Sequence, residues 1–178
     1  DIKNGGIKQT LRTGSTVRAV DVTPDGALGI TGDDFSNVIL WDMQSGEKKY
    51  EWPLSNRIGS VALSADGKYA FGAAKLGNAK IWSTRTGQEL TVLDTGALKY
   101  RNITISQAVF SQDDRSILIG EVNSNVSLVQ VSTGIIQKEW TLYTPKGRPS
   151  GASVIALAFG TDSRYYAIGS NGYLNVLE

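Results

Sequence analysis

The nine residues "VILWDMQSG", Val38 to Gly46, are echoed by "AKIWSTRTG", Ala79 to Gly87, and again by "VSLVQVSTG", Val126 to Gly134. Self-similarity at a spacing of roughly 20 to 50 residues indicates a repeat architecture. Each copy is an apolar, β-branched run that ends in a turn containing glycine, which is typical of a β-strand followed by a chain reversal. The sequence therefore predicts a fold built from one repeated β unit.

An acidic turn fixes the length of the repeat. The equivalent aspartates are Asp25, Asp66, Asp113 and Asp162, so successive units lie about 41, 47 and 49 residues apart. Asp favours such turns because its side chain accepts hydrogen bonds from the turn backbone. Since one Asp recurs at the same place in every unit, we interpret these residues as turn formers and not as catalytic or calcium-binding carboxylates.

Four short strands, which we name a, b, c and d, fit within each unit. Four antiparallel strands per period of 40 to 50 residues are typical of the blades of a β-propeller, so we expect a single all-β domain over residues 1–178. The predicted blade units are residues 17–52, 58–93, 105–142 and 154–177, with residues 7–11 as an extra outer strand.

The two ends of the chain carry parts of a blade. Strand d alone precedes the first unit, and the last unit stops after strand c. We expect a partial propeller of about four blades that is a fragment of a longer one; a small four-bladed ring and half of an eight-bladed dimer are the alternatives. An open blade edge exposes unpaired backbone groups, so self-association of two chains through these edges is expected as well.

The segment "ITGDDFSNVILWDMQSG" resembles the repeats of the WD-repeat family of β-propellers. Trp41 and Asp42 stand at the dipeptide that gives that family its name. The next unit, "GNAKIWSTRTG", keeps Trp82 but has Ser83 in place of the Asp. The resemblance covers nearly the whole chain and implies a divergent member of the family.

The resemblance also implies a hydrogen-bonded tetrad of side chains inside a blade. Thr31, Asp34 and Trp41 stand where three of its members would be, and the fourth, a His, is missing because the chain contains no His. We expect Trp41 and Trp82 to lie in the packing layer between blades, where they stabilise the fold.

The composition restricts the chemistry. Lys and Arg total 18 against 17 Asp and Glu, so the net charge of +1 gives no overall attraction to nucleic acid or to an anionic membrane. Without Cys or His, the chain lacks the usual ligands of zinc, copper and haem and the commonest general base. No apolar run is long enough to span a membrane. We expect no enzyme activity, no cofactor and no metal; the composition fits cytoplasm as well as periplasm or the extracellular space.

Basic and aromatic residues are concentrated in the loops between strand d of one unit and strand a of the next. All of these loops lie on one face of a propeller, and Arg and Tyr are favoured in protein interfaces. The predicted partner-binding residues are Arg12, Arg57, Lys99, Tyr100, Arg101, Tyr143, Lys146 and Arg148.

These features favour a non-catalytic scaffold that binds an acidic protein or peptide through its loop-bearing face. Two alternatives stay open at this level. One is an enzyme-type propeller, similar to a quinoprotein or a lyase, with its site in the central channel, because fold alone does not decide function. The other is a structural subunit whose open edges pair within a larger assembly.

Overall fold

The protein consists of β-strands arranged as successive propeller blades. The structure is a computed structural model that describes residues 5–93, 104–145, 151–161 and 163–178, and within these ranges fifteen strands form four antiparallel sheets. The all-β class and the blade architecture predicted from the repeat are confirmed. Within the same ranges, no helix has the length and apolar character needed to cross a bilayer.

Each of the first three sheets has four strands in the order in which they occur along the chain. Blade 1 contains β1 (Val17–Val22), β2 (Leu28–Asp33), β3 (Asn37–Asp42) and β4 (Lys48–Pro53). Blade 2 contains β5 (Ile58–Leu63), β6 (Tyr69–Ala74), β7 (Ala79–Ser83) and β8 (Glu89–Val92). Blade 3 contains β9 (Ile105–Phe110), β10 (Ser116–Glu121), β11 (Asn125–Gln130) and β12 (Ile136–Thr141).

The fourth sheet has three strands within the described residues. Blade 4 contains β13 (Val154–Phe159), β14 (Tyr165–Gly169) and β15 (Leu174–Leu177). Residues 7–11, which the sequence predicts to be an outer strand, are not assigned to a strand in the structure. A lone strand d has no neighbour of its own sheet to pair with, which accounts for the difference.

In blades 1 to 3 the turn between the first two strands is built as the sequence predicts; Asp162, the equivalent residue of blade 4, lies outside the described residues. In blade 1 the Asp25 carboxylate accepts a hydrogen bond from the Thr23 hydroxyl (2.6 Å) and another from the Ala27 N–H (2.9 Å). Ser64 with Asp66, and Ser111 with Asp113, repeat the arrangement in blades 2 and 3. These carboxylates satisfy backbone and hydroxyl donors, so their role in the turn is structural.

The core lies between blades and not within any one of them. The buried side chains Leu40 and Trp52 of blade 1 pack against Leu63 and Trp82 of blade 2. The rings of Trp52 and Trp82 stack with centroids 4.7 Å apart and planes 8° apart, and Trp52 Nε1 donates to the Gly87 carbonyl at 2.8 Å. Both tryptophans therefore join neighbouring blades, and Trp82 lies in the packing layer predicted for it.

Small residues on the second strand of a blade allow this close packing. A β-carbon on Gly72 would lie 2.7 Å from Val38 Cγ2 and 3.1 Å from the Trp82 ring. Any larger side chain would push blade 1 away from blade 2, which explains why strand b is rich in Gly and Ala.

The short connections lie along two opposite edges of the blades. On one edge, turns between strands b and c bond to loops between strands d and a; Asp34 N–H, for example, donates to the Thr16 carbonyl at 3.0 Å. We call this edge the loop face. On the other edge, turns between a and b bond to turns between c and d, as Thr84 N–H does to the Lys68 carbonyl at 3.0 Å. We call this edge the turn face.

Replacing Trp82 with Ala is expected to lower the free energy of unfolding by about 3–5 kcal/mol, the range for truncating a buried aromatic side chain. Guanidinium denaturation followed by circular dichroism measures the change. Trp140→Ala is the matched control and should cost less, because Trp140 is only partly buried. Equal losses for the two variants would contradict the importance of the Trp52–Trp82 stack.

Candidate functional site

Positive charge surrounds one carboxylate on the loop face. Arg18 donates two hydrogen bonds to Asp34, Nε to Oδ1 and Nη2 to Oδ2, both at 2.7 Å. This pairing lowers the pKa of Asp34, and the nearby charges of Arg57 and Lys75 lower it further against the opposing effect of burial. Arg57 and Lys75 therefore add two cationic groups near the Arg18–Asp34 ion pair on this part of the face.

A cavity of about 470 Å³ opens on the loop face between blades 2 and 3. It receives two cationic side chains, one from the loop that enters blade 2 and one from that blade's b–c turn. The residues that line it are Asn56, Arg57, Lys75, Leu76, Thr104 and Val122. The combination of cations with apolar walls suits a ligand that carries both carboxylates and apolar groups.

Large apolar side chains are exposed at three successive b–c turns of the same face. Phe35 of blade 1, Leu76 of blade 2 and Val122 of blade 3 are all exposed. Turns usually carry polar residues, and exposed apolar residues that cluster on one face are typical of interaction surfaces. The sequence analysis did not single out these three residues; their signal is an apolar residue where the repeat has a turn.

Tyr143, one of the predicted partner-binding residues, is held in place at the edge of blade 4. Its N–H donates to Asn175 Oδ1 at 2.9 Å, and its carbonyl accepts from Asn171 Nδ2 at 3.0 Å. Its ring meets the Tyr173 ring edge to face, with centroids 5.3 Å apart. Both rings remain substantially exposed, so they present a rigid aromatic pair to solvent.

The other predicted partner-binding residues divide into two groups. Arg12 and Arg57 are exposed. The remaining five lie outside the described residues: Lys99, Tyr100, Arg101, Lys146 and Arg148. Of the described residues in the predicted set, Arg57 lines the cavity between blades 2 and 3, and it does so beside Lys75, which the sequence analysis did not select.

Two of the three expected tetrad members are in contact. Trp41 Nε1 donates to Thr31 Oγ1 at 2.9 Å, and both side chains are buried. Asp34 is not part of this contact, because it pairs with Arg18. The turn is instead held by the buried Asp33, whose Oδ1 accepts from the N–H groups of Phe35 (2.9 Å) and Asn37 (2.8 Å).

A pair of carboxyl groups lies on the turn face between blades 2 and 3. Asp114 and Asp66 line the same cavity of about 560 Å³, and each carboxyl group affects the pKa of the other. Burial and the hydrogen bond with Asp66 raise the pKa of Asp114 to about 6. Burial also acts to raise the pKa of Asp66, but hydrogen bonds from Lys68, Ser64 and Asp114 outweigh it and lower that pKa to about 2. The pair therefore holds one proton between about pH 2 and pH 6 and loses it as the pH rises through about 6, the behaviour of two close carboxyl groups.

The sequence contains a signal for this pair. Asp114 has a φ of +57° and occupies the turn position that glycine fills in the two preceding blades, Gly26 at +69° and Gly67 at +71°. A non-glycine residue with positive φ is uncommon and is often associated with a specific local role. Within the described ranges, no group of three or more Asp or Glu side chains is arranged to hold a metal ion.

Replacing Asp114 with Asn is expected to stabilise the protein at about pH 8 and to have a much smaller effect at about pH 4.5. The raised pKa means that the contribution of Asp114 to stability is fully present below its ordinary value and is lost as the pH rises through about 6. Asn is neutral at every pH and tolerates positive φ. Urea denaturation at the two pH values measures the difference.

Asp113→Asn is the control for this prediction. The pKa of Asp113 is lowered by its hydrogen bonds with the Ser111 hydroxyl and the Arg115 N–H, so it is charged at both pH values. Its replacement should be destabilising to a similar extent at each. A stability change for Asp114→Asn that is the same at both pH values would contradict the shared proton.

Two proteins of the translation machinery are similar to this chain in sequence. The small ribosomal subunit protein RACK1 of Caenorhabditis elegans is 26% identical over 121 residues, which is 65% of this chain. Eukaryotic translation initiation factor 3 subunit I of Lodderomyces elongisporus is 25% identical over 164 residues, which is 86% of this chain. The chain spans 37% and 47% of these two relatives, less than half of either. No family model matches the chain.

A computationally designed protein, Ika4, is similar in structure. Its crystal structure superposes with a TM-score of 0.72 at 20% identity, over 96% of this chain and 98% of the designed one. At this identity the likeness concerns the fold alone, and it agrees with the blades described above. Structural likeness and the repeated four-stranded sheets confirm the propeller-like fold, and the sequence relatives agree with the predicted resemblance to WD-repeat propellers.

Proposed function

We propose that the chain is a non-catalytic interaction subunit whose loop face binds an acidic segment of another protein. The observation that carries the proposal is the cavity between blades 2 and 3, where Arg57 and Lys75 stand beside exposed apolar side chains. A scaffold needs a rigid surface of mixed character more than it needs reactive groups, and this face has that character.

Each group on the face has a part in the proposed contact. Arg57 and Lys75 would pair with carboxylates of the partner, and their charges already act on Asp34, whose pKa they help to lower. Leu76 and Phe35 would cover apolar partner groups, which is the usual source of affinity at the centre of an interface. Charges at its rim would mainly steer association.

The loops before blades 3 and 4 extend this surface in the proposal. Each loop adjoins a residue of the loop face. Thr104, at the end of the loop before blade 3, lines the cavity. Tyr143, near the start of the loop before blade 4, belongs to the exposed tyrosine pair. The loops contain Lys99, Tyr100 and Arg101, and Lys146 and Arg148. We include these five residues in the proposed partner-binding set on the strength of the sequence.

The relatives support the class of function. One is named as a small ribosomal subunit protein and the other as a subunit of an initiation factor, so both are components of larger assemblies. We extend to this chain only the general role of a subunit that works through protein contacts. The acidic character of the partner comes from the cations of the loop face.

The proposal predicts selective binding of an acidic, apolar peptide. A short fluorescein-labelled peptide of alternating Glu and Leu is titrated with the protein and followed by fluorescence anisotropy. Arg57→Glu combined with Lys75→Glu, and separately Arg101→Glu with Arg148→Glu, should weaken binding at least about tenfold, or about 1.4 kcal/mol. Added salt should weaken binding to the unaltered protein, because exposed charges are screened.

Arg85→Glu combined with Lys49→Glu is the matched control. These cations lie on blades 1 and 2 away from the loop face, one in a c–d turn and one on β4, and both are exposed. Their reversal changes the net charge equally and should leave the affinity unchanged. A peptide in which Lys replaces Glu should not bind. Equal binding of the two peptides, or equal loss in the control variant, would refute the proposal.

A further inference from the structure

A cavity on the turn face of blade 2 plays no part in the proposed function. It has a volume of about 580 Å³ and lies where the a–b turn, the c–d turn and β8 of that blade meet. Blades 1 and 3 both pack on blade 2, so this cavity belongs to a blade that is covered on its two sides. It lies at the opposite edge of the blades from the proposed partner-binding surface.

Two cations line this cavity. Lys68 comes from the a–b turn and Arg85 from the c–d turn, and none of the described residues that line it is Asp or Glu. Arg85 is exposed and forms no ion pair within the described part of the chain. Lys68 pairs with Asp66 at 2.5 Å, but its side chain is 73% exposed. An exposed pair of this kind is weak, so Lys68 is free to turn toward an anion in the cavity.

Hydroxyl groups of the c–d turn add neutral donors to the two cations. The Ser83 hydroxyl oxygen accepts a hydrogen bond from the Thr86 N–H at 3.3 Å, and the Thr86 hydroxyl oxygen accepts one from the Gln88 N–H at 3.4 Å. Both oxygens act as acceptors in these bonds, so both hydroxyl hydrogens remain available for a ligand. The lining therefore combines positive charge with hydrogen-bond donors.

The two turns that carry these groups are fixed against each other. Thr84 N–H donates to the Lys68 carbonyl at 3.0 Å, and the Thr84 hydroxyl donates to the Gly67 carbonyl. From blade 1, the Tyr50 hydroxyl donates to the Arg85 carbonyl at 2.9 Å. A ligand meets a backbone that is already in place, so binding costs little ordering of the protein.

The same place in blade 1 has the opposite charge. The registers of β3 with β4 and of β7 with β8 match the positions of the two blades one to one. Asp42 of blade 1 stands where blade 2 has Ser83, and Glu47 stands where blade 2 has a Gln. Lys49 is the single cation of blade 1 at these positions. Two acids and one cation give blade 1 a charge of −1 there, and two cations without an acid give blade 2 a charge of +2.

The same place in blade 3 is neutral, because Asp114 and Arg115 are its two charged residues there. The three blades share the same strands and turns, so the turns themselves do not require the positive charge of blade 2. A phosphate monoester carries a charge of about −1.5 to −2 at pH 7 and three acceptor oxygens. Two cations and two free hydroxyl hydrogens match that charge and those acceptors.

We propose that the turn-face cavity of blade 2 binds the phosphate group of a phosphate monoester. The Arg85 guanidinium pairs with two phosphate oxygens, the bidentate arrangement that suits Arg, and Lys68 approaches as a point charge. The Ser83 and Thr86 hydroxyls donate to the remaining phosphate oxygens.

The walls of the cavity contact the organic part of the ester. The half-buried Tyr69 ring stacks on Phe110, with centroids 6.4 Å apart, and Leu90 is 48% exposed. Apolar walls beside a few polar groups are typical of sites that hold small organic ligands. A phosphorylated side chain of a peptide and a free phosphorylated small molecule share this chemistry, and separate probes distinguish them.

Phenyl phosphate is the first probe. It is titrated into isotope-labelled protein and followed by the NMR shifts of the backbone amides. The shifts should saturate with a dissociation constant of about 1 mM or below. The largest should fall on residues 67–69 and 83–90, and those of the loop-face residues 75–77 should be unchanged. Inorganic phosphate should bind at the same residues more weakly, because it does not reach the apolar walls, and phenol should not bind.

Ser83→Asp is the most selective variant, because it places in blade 2 the residue that blade 1 has. In blade 1 the Asp42 carboxylate accepts from the N–H groups of Gln44 and Ser45, both at 2.9 Å, so the turn accommodates Asp. The variant should keep its circular dichroism spectrum and its midpoint of unfolding. Its added negative charge should weaken the binding of phenyl phosphate at least about tenfold.

Arg85→Gln should also weaken binding at least about tenfold, since it removes charged hydrogen bonds to the phosphate. Arg57→Gln is the matched control. It removes an exposed cation of the loop face, changes the net charge equally and should leave the affinity for phenyl phosphate unchanged. This comparison is independent of the proposed function, which Arg57→Gln would impair and Arg85→Gln would not.

A capped pentapeptide of one phosphoserine flanked by alanines identifies the source of the ester. Tighter binding of this peptide than of phenyl phosphate would support a phosphorylated segment of a protein as the ligand. Tighter binding of phenyl phosphate would support a small phosphorylated molecule. In both cases the unphosphorylated peptide should not bind.

Three results would overturn the proposal. One is the absence of saturable shifts on the turn face at phenyl phosphate concentrations up to about ten times the expected dissociation constant. Another is shifts that are confined to the loop face. The third is equal affinity of Ser83→Asp and the unaltered protein, because the site would then not depend on the charge of this cavity.

Discussion

The burial of one blade's apolar side against the next blade is the interaction on which the rest of this structure depends. Each sheet is too thin to enclose a core, so side chains such as Leu40 and Trp82 are removed from water only where two blades meet. The glycine at position 72 is required for the same reason, since it sets how closely two sheets approach. Stability in such an array is the sum of contacts between neighbours, and the terminal blades have one contact fewer.

Because the blades supply the stability, the connections between them are free to differ. The a–b turns repeat one hydrogen-bonding scheme with Asp25, Asp66 and Asp113, and they vary little. The loop face varies much more, and it combines cations, exposed apolar residues and a fixed pair of tyrosines. A rigid array of blades with one variable face suits a protein that acts by binding other proteins. In the proposed function the blades supply the rigidity and the loop face supplies the binding surface.

The fold was predictable from the sequence to a greater extent than the site. The repeat of "ILW" and "KIW" before a glycine turn determines the strand and the turn, because both are local properties that recur. The contacts across blades are not local. The choice of Asp33 over Asp34 as the buried turn residue depends on where Arg18 lies, and the shared proton of Asp66 and Asp114 depends on two turns from different blades meeting. The unusual residue at position 114 was visible in the sequence, but its partner was not.

Hydrogen exchange followed by mass spectrometry tests most directly whether contacts between blades stabilise this protein. It is measured on the unaltered chain. The account predicts the slowest exchange in β6, β7, β10 and β11, the middle strands of blades 2 and 3, which are covered on both sides. It predicts the fastest exchange among the strands in β15, which has an open edge and an exposed face, because local opening is easiest where contacts are fewest. Exchange in β15 as slow as in β7 would contradict it, since it would show that each blade is stable without its neighbours.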